Sequence, residues 1–176
     1  MANGLTSPAA DRKLQPLSSA MIVYFLRHAD ADPDAGNDFD RKLTPKGLEQ
    51  AEKVGKFLVR YGLLPEAIVS SPVVRARQTA EAVEKKLGQA SVVIGPWLAC
   101  GMTPATCLAE LSAHAGTHSV MLVGHEPDFS DTIATILGLA DSEAVNIRKA
   151  SLTGIELSSF HPGGGSLQFL VPVRLM

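Results

Sequence analysis

The sequence lacks the features that identify several common protein classes. Its 176 residues include only two cysteines, Cys100 and Cys107, and no Cys-x-x-Cys pair, which argues against a disulfide framework or a zinc site. No apolar run approaches the about 18 residues that a membrane span needs. A formal charge of −2 and a pI near 6.2 lack the basic excess typical of nucleic-acid and anionic-membrane binders. These absences favour a globular protein of the reducing cytoplasm.

Residues 1–20 differ in composition from the rest of the chain. Leu5, Leu14 and Leu17 are scattered among serine, proline, alanine and polar residues. A secretory signal would need a compact apolar core of about 7–15 residues, which this segment lacks. We therefore expect a flexible leader over residues 1–20 and a single domain over residues 21–176, a length typical of one domain.

Residues 21–30, MIVYFLRHAD, contain the clearest strand signal in the chain. A short apolar run over residues 21–26 is rich in β-branched and aromatic side chains, which predicts a strand buried on both faces. Arg27 and His28 follow it directly. Because ligands bind beyond the carboxyl ends of strands in an open parallel sheet, a guanidinium and an imidazole are predicted where such a domain builds its active site.

Strand-like and helix-like segments alternate along the rest of the chain. Further strands are predicted over residues 67–69, 91–94, 119–123, 152–157 and 167–173, and helices are predicted to begin at Pro45, Pro72, Pro104 and Pro127-Asp128. Thr44 and Thr103 are suitable caps before the prolines that follow them, and Gly62 is expected to end the first helix. The alternation predicts an α/β three-layer sandwich, with a mostly parallel central sheet and helices on both faces.

Four polar side chains are expected to meet at the carboxyl edge of this sheet. His28 and His125 each follow a buried strand, and Arg75 lies in the first turn of the helix after residues 67–69. A cation in a first helical turn opposes the helix dipole, so a bound anion would explain Arg75. Together with Arg27, these residues predict an oxyanion pocket suited to phosphate, because guanidinium donors match phosphate oxygens.

Three motifs, in this order along the chain, resemble the histidine phosphatase superfamily, which includes the phosphoglycerate mutases. Residues 26–31, LRHADA, are similar to its RHG signature, and residues 70–80, SSPVVRARQTA, to its S-P-x-x-R-A-x-Q-T block. Residues 123–127, VGHEP, are similar to its third block. The short chain and the R-H-x-D-A form most resemble the SixA-type phosphohistidine phosphatases, and the resemblance covers about residues 21–135.

The resemblance implies a phosphoglycerate-mutase-like fold and a phosphohydrolase that works through a phosphohistidine intermediate. It implies that His28 is the nucleophile. The phosphoryl oxygens would be bound by Arg27, Arg75 and His125. Glu126 could donate a proton to the leaving group, or it could equally be a carboxylate that favours a helix dipole, with Asp128 as the expected helix cap.

The lack of a general acid in one loop of the sequence helps to identify the substrate. Residues 97–106, where many superfamily members carry a general acid, contain no carboxylate. An alkoxide leaves poorly without a proton donor, whereas an imidazole, with a pKa of about 6.5, leaves readily from a phosphoramidate. This favours phosphohistidine on a signalling protein, such as a histidine phosphotransfer domain, as the substrate. The alternatives are a phosphomonoesterase for small phosphorylated metabolites with Glu126 as the acid, and a non-catalytic phospho-binding module.

The remaining expectations concern one residue of the first motif and the absence of a metal site. Ala29 stands where the RHG signature has glycine, and alanine is costly there only if the position needs a positive φ. No convincing metal cluster is present, because Gly116 interrupts the helix that would align His114 with His118, and the four cationic or imidazole groups can stabilise a phosphoryl group without a cofactor.

Overall fold

The computed structural model describes residues 20–33, 36–88 and 91–176. Within these ranges one mixed sheet contains the strands β1 (Met21–Arg27), β2 (Ala67–Ser70), β3 (Val92–Ile94), β4 (Ser119–Gly124), β5 (Leu152–Leu157) and β6 (Gly165–Val171). Their order across the sheet is β3-β2-β4-β1-β5-β6. The pairs among β1 to β4 are parallel, whereas β5 and β6 add two antiparallel strands at one edge.

Helices cover both faces of the sheet, as predicted. They are α1 (Pro45–Tyr61), α2 (Val74–Leu87), α3 (Pro104–Ser112) and α4 (Asp128–Leu137). Tyr24 and Leu26 of β1 belong to the core under α1 and α2, whereas Val23 and Phe25 belong to the core under α3 and α4. Successive strand residues point to opposite faces, so a continuous apolar run is what a strand between two helical layers requires. No described helix combines the length and apolar character needed to cross a membrane.

Local signals set the helix ends. The Thr44 hydroxyl accepts a hydrogen bond from the Gly47 N–H at 3.0 Å, and Thr103 caps α3 in the same way through the Thr106 N–H. Gly62 ends α1 in the left-handed conformation at φ 66°. These three predictions are confirmed, because each rests on short-range chemistry that the sequence contains.

Three boundary or burial predictions are wrong. Helix α2 begins at Val74 rather than Pro72, because Val73 is extended and donates its N–H to the Ser71 hydroxyl. Strand β6 begins at Gly165 and ends at Val171, two residues earlier at each end than predicted. Leu48 follows the same helical spacing as the buried Ala51, Val54 and Leu58, which predicts that it is buried too, but it is 49% exposed. Of the predicted leader, only Ala20 lies within the described residues, and the 21–176 domain boundary stays a prediction.

The parallel register brings three strand ends to one edge. Arg27 pairs with Gly124, and Ser70 pairs with Val123. The residues that follow these strands, His28, Ser71 and His125, therefore leave the sheet side by side.

Gly47 is expected to be essential for stability, because a Cβ there would overlap the backbone carbonyl oxygen of Asp30. Gly47→Ala should lower the free energy of unfolding by about 1–3 kcal/mol, the usual cost of overpacking, despite the better helix propensity of alanine. Urea unfolding followed by circular dichroism measures this. Gly116→Ala is the matched control, since among the described residues no atom other than those of its chain neighbours lies within 4 Å of the added Cβ. Equal stability of the two variants would contradict the expectation.

Candidate active site

His28 is held in one tautomer by its own loop. Its Nδ1 lies 2.7 Å from the carbonyl oxygen of Ala29. A carbonyl only accepts hydrogen bonds, so Nδ1 carries the ring proton and Nε2 keeps its lone pair. The Arg75 Nε donates to that lone pair at 3.2 Å. The side chain is buried at 7% exposure, so the arrangement presents a nucleophilic nitrogen already aligned with a guanidinium.

The surroundings keep both imidazoles neutral. Burial first, and then the neighbouring His125, Arg75 and Arg27, lower the pKa of His28 to about 3, against the raising effect of its hydrogen bond to the Ala29 carbonyl oxygen. Burial and then Arg75 lower the pKa of His125 to about 4. The two rings lie 5.4 Å apart between centroids. Near neutral pH the site therefore combines two uncharged imidazoles with guanidinium charge.

Arg27 is anchored by a distant loop. Its Nη1 donates to the carbonyl oxygen of Ile147 at 2.7 Å. Its Nε is buried and has no hydrogen-bond partner among the described residues. A guanidinium has donors in a fixed fork, so anchoring one nitrogen orients the remaining donors. An unpaired buried donor of this kind is a ready contact for an oxyanion.

Arg75 is bound to a carboxylate that the sequence did not single out. The guanidinium, on a residue only 5% exposed, donates to the Asp38 carbonyl oxygen at 2.6 Å and to its Oδ2 at 3.1 Å. Hydrogen bonding from Arg41, and then the charge of Arg75, holds the pKa of Asp38 below its ordinary value despite partial burial. Asp38 is thus an anion that occupies the Arg75 donors that a phosphate would use. Its spacing in the sequence does not distinguish it from the neighbouring aspartates, so the sequence alone does not identify it.

His125 and Ser71 form the third part of the site. His125 Nε2 lies 2.8 Å from the Ser71 hydroxyl oxygen, and both residues are buried. His125 Nδ1 is buried and has no partner among the described residues. Ser71 lies within the second motif, but its sequence position predicts no catalytic role, because a serine before a proline is also an ordinary turn residue.

Glu126 and Asp128 take different positions. Glu126 is half-buried and close enough to Arg27 for each charge to affect the pKa of the other, and burial raises the pKa of Glu126. Its Oε1 has no partner among the described atoms. The prediction that Asp128 caps α4 is wrong: Pro127 precedes the helix, and the Asp128 Oδ2 accepts from the backbone N–H groups of Gly101 and Met102 at 2.9 and 3.2 Å. Asp128 therefore ties the loop before α3 to α4.

The substitution at Ala29 is mild. Ala29 is not among the described residues with positive φ, and its N–H donates to the Thr79 hydroxyl at 3.0 Å. Among the residues that the structure describes, the non-glycine position with a positive φ is Ala150, at 54°. Its N–H lies 3.1 Å from the Arg27 carbonyl oxygen and 3.2 Å from that of His28. The residue in the left-handed conformation is thus Ala150, from a neighbouring segment, and it stabilises the 27–29 loop through these backbone contacts.

The residues described here offer no group of three or more histidine, cysteine or carboxylate side chains placed to hold a metal ion. The arrangement that they do form has two guanidinium groups, a nitrogen lone pair and a second imidazole around one point. Such a set can bind a tetrahedral oxyanion and bring a nucleophile to its central atom.

Comparisons with known proteins agree with this chemistry. The family model of the histidine phosphatase superfamily, branch 1, matches residues 23–99. An uncharacterized protein of a Picosynechococcus species is 34% identical over 143 residues, which are 77% of this chain and 84% of that protein. Phosphohistidine phosphatase SixA of Escherichia coli K12 is 29% identical over 110 residues, 61% of this chain and 68% of that protein. The solved structure of protein histidine phosphatase SixA with tungstate covers 88% of this chain and 99% of its own at a TM-score of 0.79 and 24% identity, which shows a common fold.

Asp38 is expected to compete with bound oxyanions for Arg75. Asp38→Asn should tighten the binding of inorganic phosphate or tungstate about two- to fivefold, the size expected for loss of an ion pair whose carboxylate is largely exposed. Isothermal titration at low ionic strength measures the dissociation constant. Asp40→Asn is the matched control, since Asp40 lies in the same turn and bonds to Asn37 instead. Weaker oxyanion binding by Asp38→Asn would show that this carboxylate assists rather than competes.

Proposed function

The chain belongs to the histidine phosphatase superfamily, and on that premise we propose that it hydrolyses phosphohistidine on a signalling protein, such as a histidine phosphotransfer domain. It is a SixA-like phosphatase that acts on phosphorylated substrates, and its similarity to a phosphohistidine phosphatase supports phosphohistidine as the substrate. The unpaired cysteines, Cys100 and Cys107, fit a reducing cytoplasm, which is part of the proposal.

The observation that carries the proposal is the tautomer of His28. With Nδ1–H bonded to the Ala29 carbonyl oxygen, the Nε2 lone pair is available to attack phosphorus. The new N–P bond forms as the substrate's own N–P bond breaks, and the departing ring, whose other nitrogen carries a proton, keeps the electron pair and leaves as neutral imidazole. Water then attacks the phosphorylated His28, which releases inorganic phosphate and restores the lone pair.

The cationic groups stabilise the transferring phosphoryl group. As the Nε2 lone pair becomes the N–P bond, the Arg75 Nε–H that donates to it is released to a phosphoryl oxygen. Arg27 has an unpaired Nε–H for a second contact, and His125 supplies a third. Positioning and charge stabilisation of this kind account for most of phosphoryl-transfer catalysis, so the proposal requires no metal or other cofactor.

One observation favours a second candidate function. Burial raises the pKa of Glu126, and its Oε1 is unpaired among the described atoms beside Arg27. A carboxyl group with a raised pKa suits proton donation to an alkoxide. With Glu126 as the general acid, the chain would be a phosphomonoesterase for small phosphorylated metabolites. The phosphohistidine reaction needs this proton less, because imidazole is a better leaving group.

Labelling with a radioactive phosphoryl donor tests the nucleophile. A protein that carries radioactive phosphohistidine should transfer an acid-labile, base-stable label to the wild-type chain and none to the His28→Ala variant. Since the pKa of His28 is lowered to about 3, the reactive neutral form persists from pH 5 to 8, and labelling should show no acid limb from this group. His161→Ala, at a histidine in the β5–β6 turn, is the control that should retain the label. Failure of the wild-type chain to label would favour a non-catalytic binding module.

A substrate panel separates the two catalytic candidates. We expect kcat/KM for protein phosphohistidine to exceed that for phosphoserine peptide or sugar phosphates by at least about 100-fold, and to be unaffected by chelator. Glu126→Gln should leave the phosphohistidine rate within about threefold, whereas loss of a general acid costs about 100- to 10,000-fold on an alkyl phosphate. Asp131→Asn controls for the loss of a nearby charge. A preference for sugar phosphates that Glu126→Gln abolishes would replace the first candidate with the second.

A further inference from the structure

Ser71 and His125 form a buried contact in which either the hydroxyl or the ring nitrogen can be the hydrogen-bond donor. The hydroxyl oxygen of Ser71 already accepts the Val73 N–H at 3.2 Å, and it lies 2.8 Å from His125 Nε2. Ser71 is 0% exposed and His125 is 2% exposed, so solvent does not supply alternative partners. The hydrogen-bond inventory of the pair can therefore be counted within the described residues.

Only two neutral arrangements are available to the pair. If Nε2 carries the proton, it donates to Ser71, and the hydroxyl hydrogen of Ser71 and the Nδ1 lone pair are both left without partners among the described residues. If Nδ1 carries the proton, the Ser71 hydroxyl donates to Nε2, and a single group, Nδ1–H, remains unpaired. Because each buried unpaired polar group is costly, the second arrangement is the more stable.

We propose that Ser71 is a positioning residue that fixes His125 as the Nδ1–H tautomer, so that this N–H is the hydrogen-bond donor offered to the transferring phosphoryl group. The tautomer follows from the two hydrogen bonds of Ser71 alone. The role of the N–H in catalysis rests on the proposed phosphatase function.

This assignment gives the two imidazoles complementary roles from the same tautomer. In His28 the Nδ1–H is bonded to the Ala29 carbonyl oxygen, and the Nε2 lone pair is left to act. In His125 the Nε2 lone pair is bonded to Ser71, and the Nδ1–H is left to act. One ring is thus the electron-pair donor and the other the hydrogen-bond donor. Because the pKa of His125 is lowered to about 4, its ring is neutral near pH 7, and the Nδ1–H of the neutral ring is the donor.

The position of Ser71 is fixed by backbone pairing. Its N–H donates to the Val123 carbonyl oxygen at 2.9 Å, which ties it to the strand that ends just before His125. Its hydroxyl holds the Val73 N–H immediately before α2 begins, two residues before Arg75. A single side chain therefore joins the segment that carries the second imidazole to the segment that carries the buried guanidinium.

Nitrogen-15 NMR of the imidazole rings reads the tautomer directly and needs no substrate. In the wild-type chain at pH 7, the His125 signals, identified by their loss in His125→Asn, should show a protonated Nδ1 and an unprotonated Nε2. Addition of inorganic phosphate should shift the Nδ1–H signal. Ser71→Ala should convert His125 to the Nε2–H form or to a mixture. A wild-type Nε2–H tautomer would overturn the proposal even if the Ser71 variant does not fold.

Ser70→Ala is the matched control, because Ser70 is equally buried and its hydroxyl donates to the Ser71 carbonyl oxygen rather than to a histidine. It should leave the tautomer and the labelling rate of His28 unchanged. Ser71→Ala should slow labelling about tenfold, the loss expected for one buried hydrogen-bond arrangement. In a His125→Ala background it should slow labelling no further, because Ser71 acts through His125.

Additive losses in the double variant would show that Ser71 acts independently of His125 and would overturn its positioning role. If the wild-type chain has the expected tautomer but never forms a phosphoenzyme, the proposed phosphatase function fails and the proposed donor role in transfer fails with it, whereas the tautomer assignment stands. If the wild-type chain forms the phosphoenzyme normally but His125 is the Nε2–H tautomer, the tautomer assignment fails and the proposed phosphatase function stands. The two failures are therefore distinguishable.

Discussion

The parallel pairing of β1 with β4 is the constraint on which the site depends. Its register sets Arg27 opposite Gly124, so the residues that follow the two strands emerge as neighbours. The His28 N–H continues the ladder by donating to the Gly124 carbonyl oxygen at 3.0 Å. The backbone of both histidines is thus positioned by strand pairing, and a slip of one residue would turn one ring to the opposite face of the sheet.

Burial of charge explains much of what surrounds these rings. A guanidinium as buried as that of Arg75 requires acceptors, and Asp38 provides both a carbonyl and a carboxylate oxygen. Arg27 is only partly compensated, with one contact to Ile147 and the nearby charge of Glu126. The positive charge is therefore stabilised well enough for folding while keeping donors that an oxyanion can use. The same charges, added to burial, keep His28 neutral.

Two of the differences between expectation and structure arise from side-chain hydrogen bonds. The proline at position 72 favoured a helix start there, but the hydroxyl of Ser71 holds Val73 in an extended conformation and delays α2. Asp128 has the side chain of a good cap, but its carboxylate is used by Gly101 and Met102 from a loop far away in sequence. In both cases a preference for a helix end was overridden by a side-chain hydrogen bond, which is local between Ser71 and Val73 and long-range between Asp128 and the loop before α3.

The sequence by itself determined the α/β alternation, the caps at Thr44 and Thr103, and the strand-end placement of His28 and His125, because periodicity, capping and strand burial depend on residues near one another in the chain. The resemblance to the histidine phosphatase superfamily, carried by three short motifs, is confirmed. Only the tertiary structure decided which nitrogen of each imidazole is available and which carboxylate faces Arg75. For His125 and Arg75 those choices are made by hydrogen bonds across 54 and 37 positions of sequence separation, and for His28 by the folded conformation that brings its ring onto the adjacent Ala29 carbonyl oxygen, none of which a linear pattern contains.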